Sequence, residues 1–261
     1  MKKRQTLSLE TKTVLVSGAS RGIGFAICEV LLNYGASVIA TSRSEQIPSA
    51  LIPLVGPQCS YYSCDVAKPA SVQQLADNLN ADSVTINGLV NNAGTINPIS
   101  SLYESHQEDW LHAIDVNIKG VYLMMRAFLP QMVERNSGRI INLSSGAANS
   151  ALAGWSHYCA SKAAVKKLTE ISQKEVGERD VQIIGLSPGT VATDMMKTIK
   201  ESGVNPVSKI DWSRHIPPNW VGEATAFLFG PEGSEFAGTD FSIKTVAGRK
   251  RVGLPFDDLT D

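Results

Sequence analysis

A chain of 261 residues that is 43 % hydrophobic and 19 % charged can bury one sizeable core or two small ones. Its 24 basic and 25 acidic side chains leave a formal charge of −1, which provides no overall attraction for nucleic acid or an anionic membrane. Two short basic clusters, Lys2-Lys3-Arg4 and Arg249-Lys250-Arg251, read as solvated ends. No apolar run reaches the ~20 residues that a membrane helix needs. The segment QTLSLETKT after the first cluster is too polar for the core of a signal peptide, so a cytoplasmic location is expected. Cys28, Cys59, Cys64 and Cys159 form no C-x-x-C pair and are expected as reduced thiols. The histidines at 106, 112, 157 and 215 lack metal-binding spacing, and no metal is expected.

Taken in order, Thr13 to Ser17 is a short β-rich run followed by GASRGIG and then FAICEVLLNYG, whose apolar residues recur with helical period up to Gly35. Ser37 to Ala40 reads as the next strand, so the opening is one βαβ unit. In the turn between strand and helix, Gly18, Gly22 and Gly24 would let backbone N–H groups and a helix N-terminus approach a pyrophosphate, with Ser20, Arg21 and Ile23 carried alongside. About 20 residues on, where an NAD site usually carries an acid, the chain has Thr41-Ser42-Arg43-Ser44. Arg43 and Ser42, with Arg21 closing from the turn, suit a 2′-phosphate, which favours NADP(H) over NAD(H).

The alternation then continues. Cys59 to Ser63 is a strand ending in Asp65-Val66, a position for an adenine contact. Ser71 to Leu79 is an amphipathic helix. Val84 to Val90 is a strand running into Asn91-Asn92-Ala93-Gly94. A long helix is expected over roughly 107–135, a strand over Arg139 to Leu143, and a helix carrying Tyr158 and Lys162 to about Val176. Val181 to Leu186 leads into Ser187-Pro188-Gly189; a helix over Val221 to Phe229 and a strand near Asp240 to Ile243 finish the pattern. The expected fold is therefore α/β, a Rossmann-like doubly wound parallel sheet of about seven strands with helices on both faces. A single domain spans 1–261, with a core of about 12–245, a substrate loop over 194–216 and a loose polar tail over 253–261. Ligands bind outside the carboxyl ends of such strands, which is where these motifs fall.

Tyr158 and Lys162 are four residues apart and share one helix face. An ammonium one turn away would lower the pKa of a phenol that is ordinarily a poor acid at neutral pH. Ser145, thirteen residues before Tyr158, places a hydroxyl within reach of the same pocket. Substrate contacts are expected after the strands, at Thr95, Ile96, Gly146, Ala147, Leu152 and Trp155, and in the 194–212 stretch with its flexible Met195 and Met196. His157 would point away from the face of Tyr158, to a surface or an interface.

With SGASRGIG at 17–24, DV at 65–66, NNAG at 91–94, Asn117, SS at 144–145, YCASK at 158–162 and SPGTVAT at 187–193, in this order, the chain resembles a single-domain short-chain dehydrogenase/reductase. The resemblance implies that Tyr158 is the proton donor in carbonyl reduction and that Lys162 tunes it and binds the nicotinamide ribose. It also implies that Ser145 hydrogen-bonds the carbonyl oxygen and that Asn117 holds a water linking Lys162 to solvent. Asp65, Val66, Asn92, Ala93, Gly94, Pro188 and Gly189 would contact the cofactor, and Val191 and Thr193 its carboxamide. A few residues, GWSHYCASKAA and TDMM, resemble the sepiapterin reductase and benzil reductase branch, whose pterin-binding members use a carboxylate near the last strand; Asp240 is the nearest candidate. The expected function is NADPH-dependent reduction of a ketone or aldehyde, an α-diketone or a pterin among them. The alternatives are an NAD-linked alcohol or sugar dehydrogenase and a non-catalytic cofactor sensor. A homodimer or homotetramer is implied, with the helices at 107–135 and 155–177 at the interface.

Overall fold

The structure is a computed structural model and describes residues 7–256; the Lys2-Lys3-Arg4 cluster and the tail from 257 onward lie outside the described residues. The β-rich runs form β1 (Thr13–Val16), β2 (Ser37–Ser42), β3 (Cys59–Ser63), β4 (Gly88–Asn91), β5 (Gly138–Leu143), β6 (Val181–Ser187) and β7 (Asp240–Ser242). They make one sheet in the order β3-β2-β1-β4-β5-β6-β7, and every neighbouring pair is parallel. Val14 lies between Val38 on one side and Gly88 on the other, so the strand order reverses between β1 and β4. That reversal opens a crevice at the carboxyl ends, the usual ligand position in such sheets. The expected Rossmann-like architecture is the one observed.

The helices are α1 (Gly22–Asn33), α2 (Pro69–Ala81), α3 (Gln107–Ile114), α4 (Gly120–Glu134), α5 (Ser156–Val176), α6 (Asp194–Ser202), α7 (Pro218–Phe229) and α8 (Val246–Val252). Parallel strands are covered on both faces, which explains why β6 reads as a nearly continuous apolar run. On one face Ile27, Val30 and Leu31 of α1 pack with Ala224, Phe227 and Leu228 of α7. On the other, Leu75 and Leu79 of α2 meet Met124, Phe128 and Met132 of α4 and Val165 of α5. Arg139, at the start of β5, donates to the carbonyl oxygens of Leu228 and Gly230 and so joins the sheet to the end of α7.

Four expectations are corrected. The strand expected from Val84 starts only at Gly88, where the absence of a side chain lets Phe229 press on the sheet. The long helix over 107–135 is interrupted by a π-helical segment, Asp115–Lys119, which turns Asn117 toward Thr95. The substrate loop is largely helical: α6 is followed by 3₁₀ turns at Pro206–Lys209 and Trp212–Arg214. The tail is anchored at its start, where α8 ends in a left-handed Gly253 that delivers Leu254 into the core at 2 % exposure.

Candidate active site

The glycine turn is built from Ser17 outward. The Ser17 hydroxyl accepts from the N–H groups of Asn92 and Ala93 (3.0 and 3.1 Å), and Asn92 Nδ2 donates to the carbonyl oxygens of Ser17 and Gly18 (2.9 and 3.0 Å). These bonds tie the end of β1 to that of β4. Gly18 sits at φ 66°, and a Cβ on Gly24 would lie 2.3 Å from the Gly18 carbonyl oxygen, so neither position admits a side chain. Helix α1 starts at Gly22 with no acidic residue in its first turn and no side chain capping it, which leaves its N–H groups available to an anion. A cradle that Cβ atoms would fill, at a helix terminus facing the crevice, fits the pyrophosphate of a dinucleotide.

A cleft of about 690 Å³ runs from this turn across the carboxyl ends of the sheet. Gly18, Ser20, Arg21, Gly22 and Ile23 line it at the turn, and Ser42, Arg43, Asp65 and Val66 line it beyond β2 and β3. Asn92, Ala93, Gly94 and Thr95 follow from β4, Ser145, Gly146 and Ala147 from β5, and Pro188, Gly189, Val191 and Thr193 from β6. Leu152, Trp155, Tyr158, Lys162, Met195 and Met196 complete the far end. Gly24, Ile96 and Asn117 are not in the wall: Gly24 packs behind the turn, and Ile96 lies 3 % exposed beneath Trp155 and Met196.

Individual groups differ from expectation in instructive ways. The Ser42 hydroxyl pairs with that of Tyr61 (2.8 Å), which also donates to the Ser44 carbonyl, so Tyr61 shapes the loop holding Arg43. Arg21 reaches across to Asp194 (3.9 Å), which Lys197 also pairs (2.9 Å). Asn117 is fully committed to Thr95, accepting from its N–H (2.8 Å) and donating to its carbonyl (2.9 Å). Its side chain therefore positions the segment after β4. His157 is buried rather than at a surface; Nε2 pairs with the Ile96 carbonyl (2.9 Å), and desolvation lowers its pKa. Asp240 does not face the cleft. It accepts from the Ser144 hydroxyl (3.0 Å), and burial raises its pKa.

Tyr158 and Lys162 do share one face of α5, with the ammonium 5.7 Å from the phenol ring centroid. Trp155 meets the ring edge-on at 5.7 Å. Burial pushes the phenol pKa up and a hydrogen bond with Ser145 pulls it back. Ser145 also caps the 3₁₀ turn Gly146–Asn149, accepting from the Ala147 N–H (3.1 Å). Lys162 donates to the Leu143 carbonyl (2.6 Å), and burial pushes its own pKa down to about 8, opposed by Asp240. Ser145 therefore opposes the effect of burial on the phenol, with the Lys162 ammonium one turn away on the same face.

The wall also carries three cations, Arg214 from the 194–216 loop and, not anticipated there, Lys244 and Arg249. Lys244 lies just after β7, so the carboxyl-end rule that found the other motifs would have found it had it been applied to the last strand. All four cysteines are free. Among the described residues no cluster suited to a metal ion occurs, and no helix is long and apolar enough to cross a membrane.

The fold and the cleft define an NAD(P)-dependent oxidoreductase acting on CH–OH or C=O groups. The model of the short chain dehydrogenases matches residues 12–203, and the chain belongs to that family. It is 34 % identical over 238 residues to the 3-oxoacyl-[acyl-carrier-protein] reductase FabG of Vibrio harveyi, covering 91 % of this chain and 97 % of the relative. It is 35 % identical over 187 residues to an NADPH-dependent pterin aldehyde reductase of Arabidopsis thaliana, covering 71 % and 77 %. Among solved structures, a gluconate 5-dehydrogenase from Burkholderia cenocepacia in complex with NADP and tartrate is similar with a TM-score of 0.82 and 26 % identity, covering 91 % of this chain and 95 % of that one.

Proposed function

We propose that the protein is an NADPH-dependent carbonyl reductase in which Ser145, Tyr158 and Lys162 act on a ketone or aldehyde. The observation that carries this reading is the convergence of those three side chains at one end of the cleft whose other end holds the glycine turn and Arg43. When bound, the nicotinamide supplies the hydride. Negative charge then grows on the substrate oxygen, where the hydroxyls of Ser145 and Tyr158 donate hydrogen bonds to it. Tyr158 completes the alcohol by giving up its Oη proton. Lys162, which donates to the Leu143 carbonyl, is the cation available to steady the phenolate that results and to bind the ribose. Gly94, Val191 and Thr193 would form the wall around the carboxamide side, and Asp65 and Val66 that around the adenine.

Tyr158→Phe should lower kcat by at least about a thousandfold in an NADPH-oxidation assay over diketones, pterin aldehydes, 3-oxoacyl thioesters and simple aldehydes. NADPH should still quench the protein's tryptophan fluorescence; an active, folded variant would refute the assignment. NADPH rather than NADH is supported by the exposed Arg43 and the lack of any acid at 41–44. Arg43→Ala should cut the NADPH-over-NADH ratio of kcat/KM by about tenfold or more, in line with losing a charge-assisted contact to a phosphate. The reduced cysteines support a cytosolic location. A homodimer or homotetramer is supported by exposed Leu111, Tyr122 and Ile171 on α3, α4 and α5.

A further inference from the structure

We propose that Lys244 forms a carboxylate-binding subsite beside the reacting carbonyl, so that the substrate is a short oxo acid rather than a neutral ketone. The proposal rests on the reductase reading above and names the substrate class for that site.

Lys244 lies in the cleft wall between the two loops that flank the carbonyl position. Its Nζ is 3.6 Å from where a Cβ on Gly146 would sit, and its Cγ is 2.6 Å from the corresponding point on Gly189. Both loops carry glycine at the contact: the lysine stem lies on the Gly189 backbone, and its ammonium end lies beside Gly146. Gly146 follows Ser145, and successive Cα atoms are ~3.8 Å apart. The ammonium is therefore one residue's reach from the serine placed at the carbonyl oxygen, a span that suits a carboxylate a few carbons from the carbonyl.

The position of Lys244 is held from both sides. Its backbone N–H donates to the Ser242 hydroxyl (3.2 Å), the Arg249 guanidinium donates to the carbonyl of the preceding Ile243 (3.0 Å), and Thr245 caps α8 by accepting from the Gly248 N–H (3.0 Å). Among the described residues the ammonium itself has neither a hydrogen bond nor an ion pair. The charge balance of the cleft points the same way. Its acidic wall residues are Asp65, on the adenine side, and Asp194, which is paired with Lys197 and Arg21. Arg214 and Arg249 add positive charge to the wall. Carboxylates and ammonium groups form charge-assisted hydrogen bonds in such settings. The carboxylate expected near the last strand for a pterin is turned away as Asp240, and a cation stands at the mouth instead.

The test compares 2-oxobutanoate and 4-oxopentanoate with their methyl esters, using NADPH and the full chain. The wild type should favour the acid of at least one pair by about tenfold or more in kcat/KM. Lys244→Gln should bring that ratio close to one, chiefly through KM, and Lys244→Arg should restore it. Equal use of acid and ester by the wild type, or a preference that survives in Lys244→Gln, overturns the proposal. So does a loss in Lys244→Gln that falls on the Kd of NADPH, since the lysine would then serve the dinucleotide. If NADPH binds but neither these acids and esters nor the diketones, pterin aldehydes, 3-oxoacyl thioesters and aldehydes of the wider assay are reduced, the reductase reading has failed. Calorimetric titration of butanoate into the NADPH complex then decides the subsite alone: a Kd weakened about tenfold in Lys244→Gln upholds it, and no binding to the wild type overturns it.

Discussion

Lys162 shows how far a four-residue spacing can be read. The spacing placed ammonium and phenol on one helix face, and they are there. It did not show that the ammonium would be buried, because burial depends on β5 and β7, which are distant in sequence. Burial holds the Lys162 pKa at about 8 in the folded chain, against an ordinary value of 10.5. Between those two values the unfolded chain binds more protons than the folded one, so this group's contribution to stability rises with pH across the window and is smallest below about 8. Other groups titrate in the opposite sense; burial raises the thiol pKa of Cys64 to about 11, for instance. The clean measurement is therefore a difference. The stability of the wild type minus that of Lys162→Met, from urea unfolding without dinucleotide, should increase from pH 8 to pH 10.5 by up to roughly 1.4 kcal/mol per pH unit. A flat difference would mean that Lys162 is not held in this buried position.

At the scale of elements, legibility followed periodicity. Helix α5 and strand β6 were readable because their apolar residues repeat over many positions and their ends carry turn residues. The π segment was not, since Asp115-Val116-Asn117-Ile118-Lys119 has the composition of ordinary helix. Its cause is tertiary: Gly120 packs against Val66, where a Cβ would lie 2.8 Å from a Val66 methyl, while Asn117 turns to both polar groups of the Thr95 backbone. Asn117→Ala would leave those two groups without their partners, and the expected cost is about 2 kcal/mol. The same variant should raise KM for the carbonyl substrate, because the segment after β4 forms one wall of the cleft. Urea titration and steady-state kinetics check the two effects separately. The short helices α6 and α8 were missed for a different reason. Each is brief and begins among residues that also make loops, so packing decides them: Met196 and Ile199 against Trp155, and Val252 with Leu254 against the core.

At the scale of the whole molecule, the doubly wound parallel sheet could be inferred from the sequence because strands alternating with helices admit few other architectures, whereas the order β3-β2-β1-β4-β5-β6-β7 came only with the structure. The site was legible for the same reason: seven strands pointing one way bring every strand-to-helix connection to one rim. The opposite rim has a different role. There the helix-to-strand turns pass through left-handed backbone at Ser83, Asn136 and Gly177. A Cβ on Gly177 would have no atom within 4 Å. A flexible ten-residue insert between Gly177 and Glu178 should leave the Kd for NADPH within about twofold, because loop closure costs little for added length. Fluorescence titration of the lengthened chain would show whether it does. All-parallel winding thus leaves one edge of the molecule outside the chemistry, where a fluorophore, an affinity handle or a fused domain can be attached without approaching the bound dinucleotide.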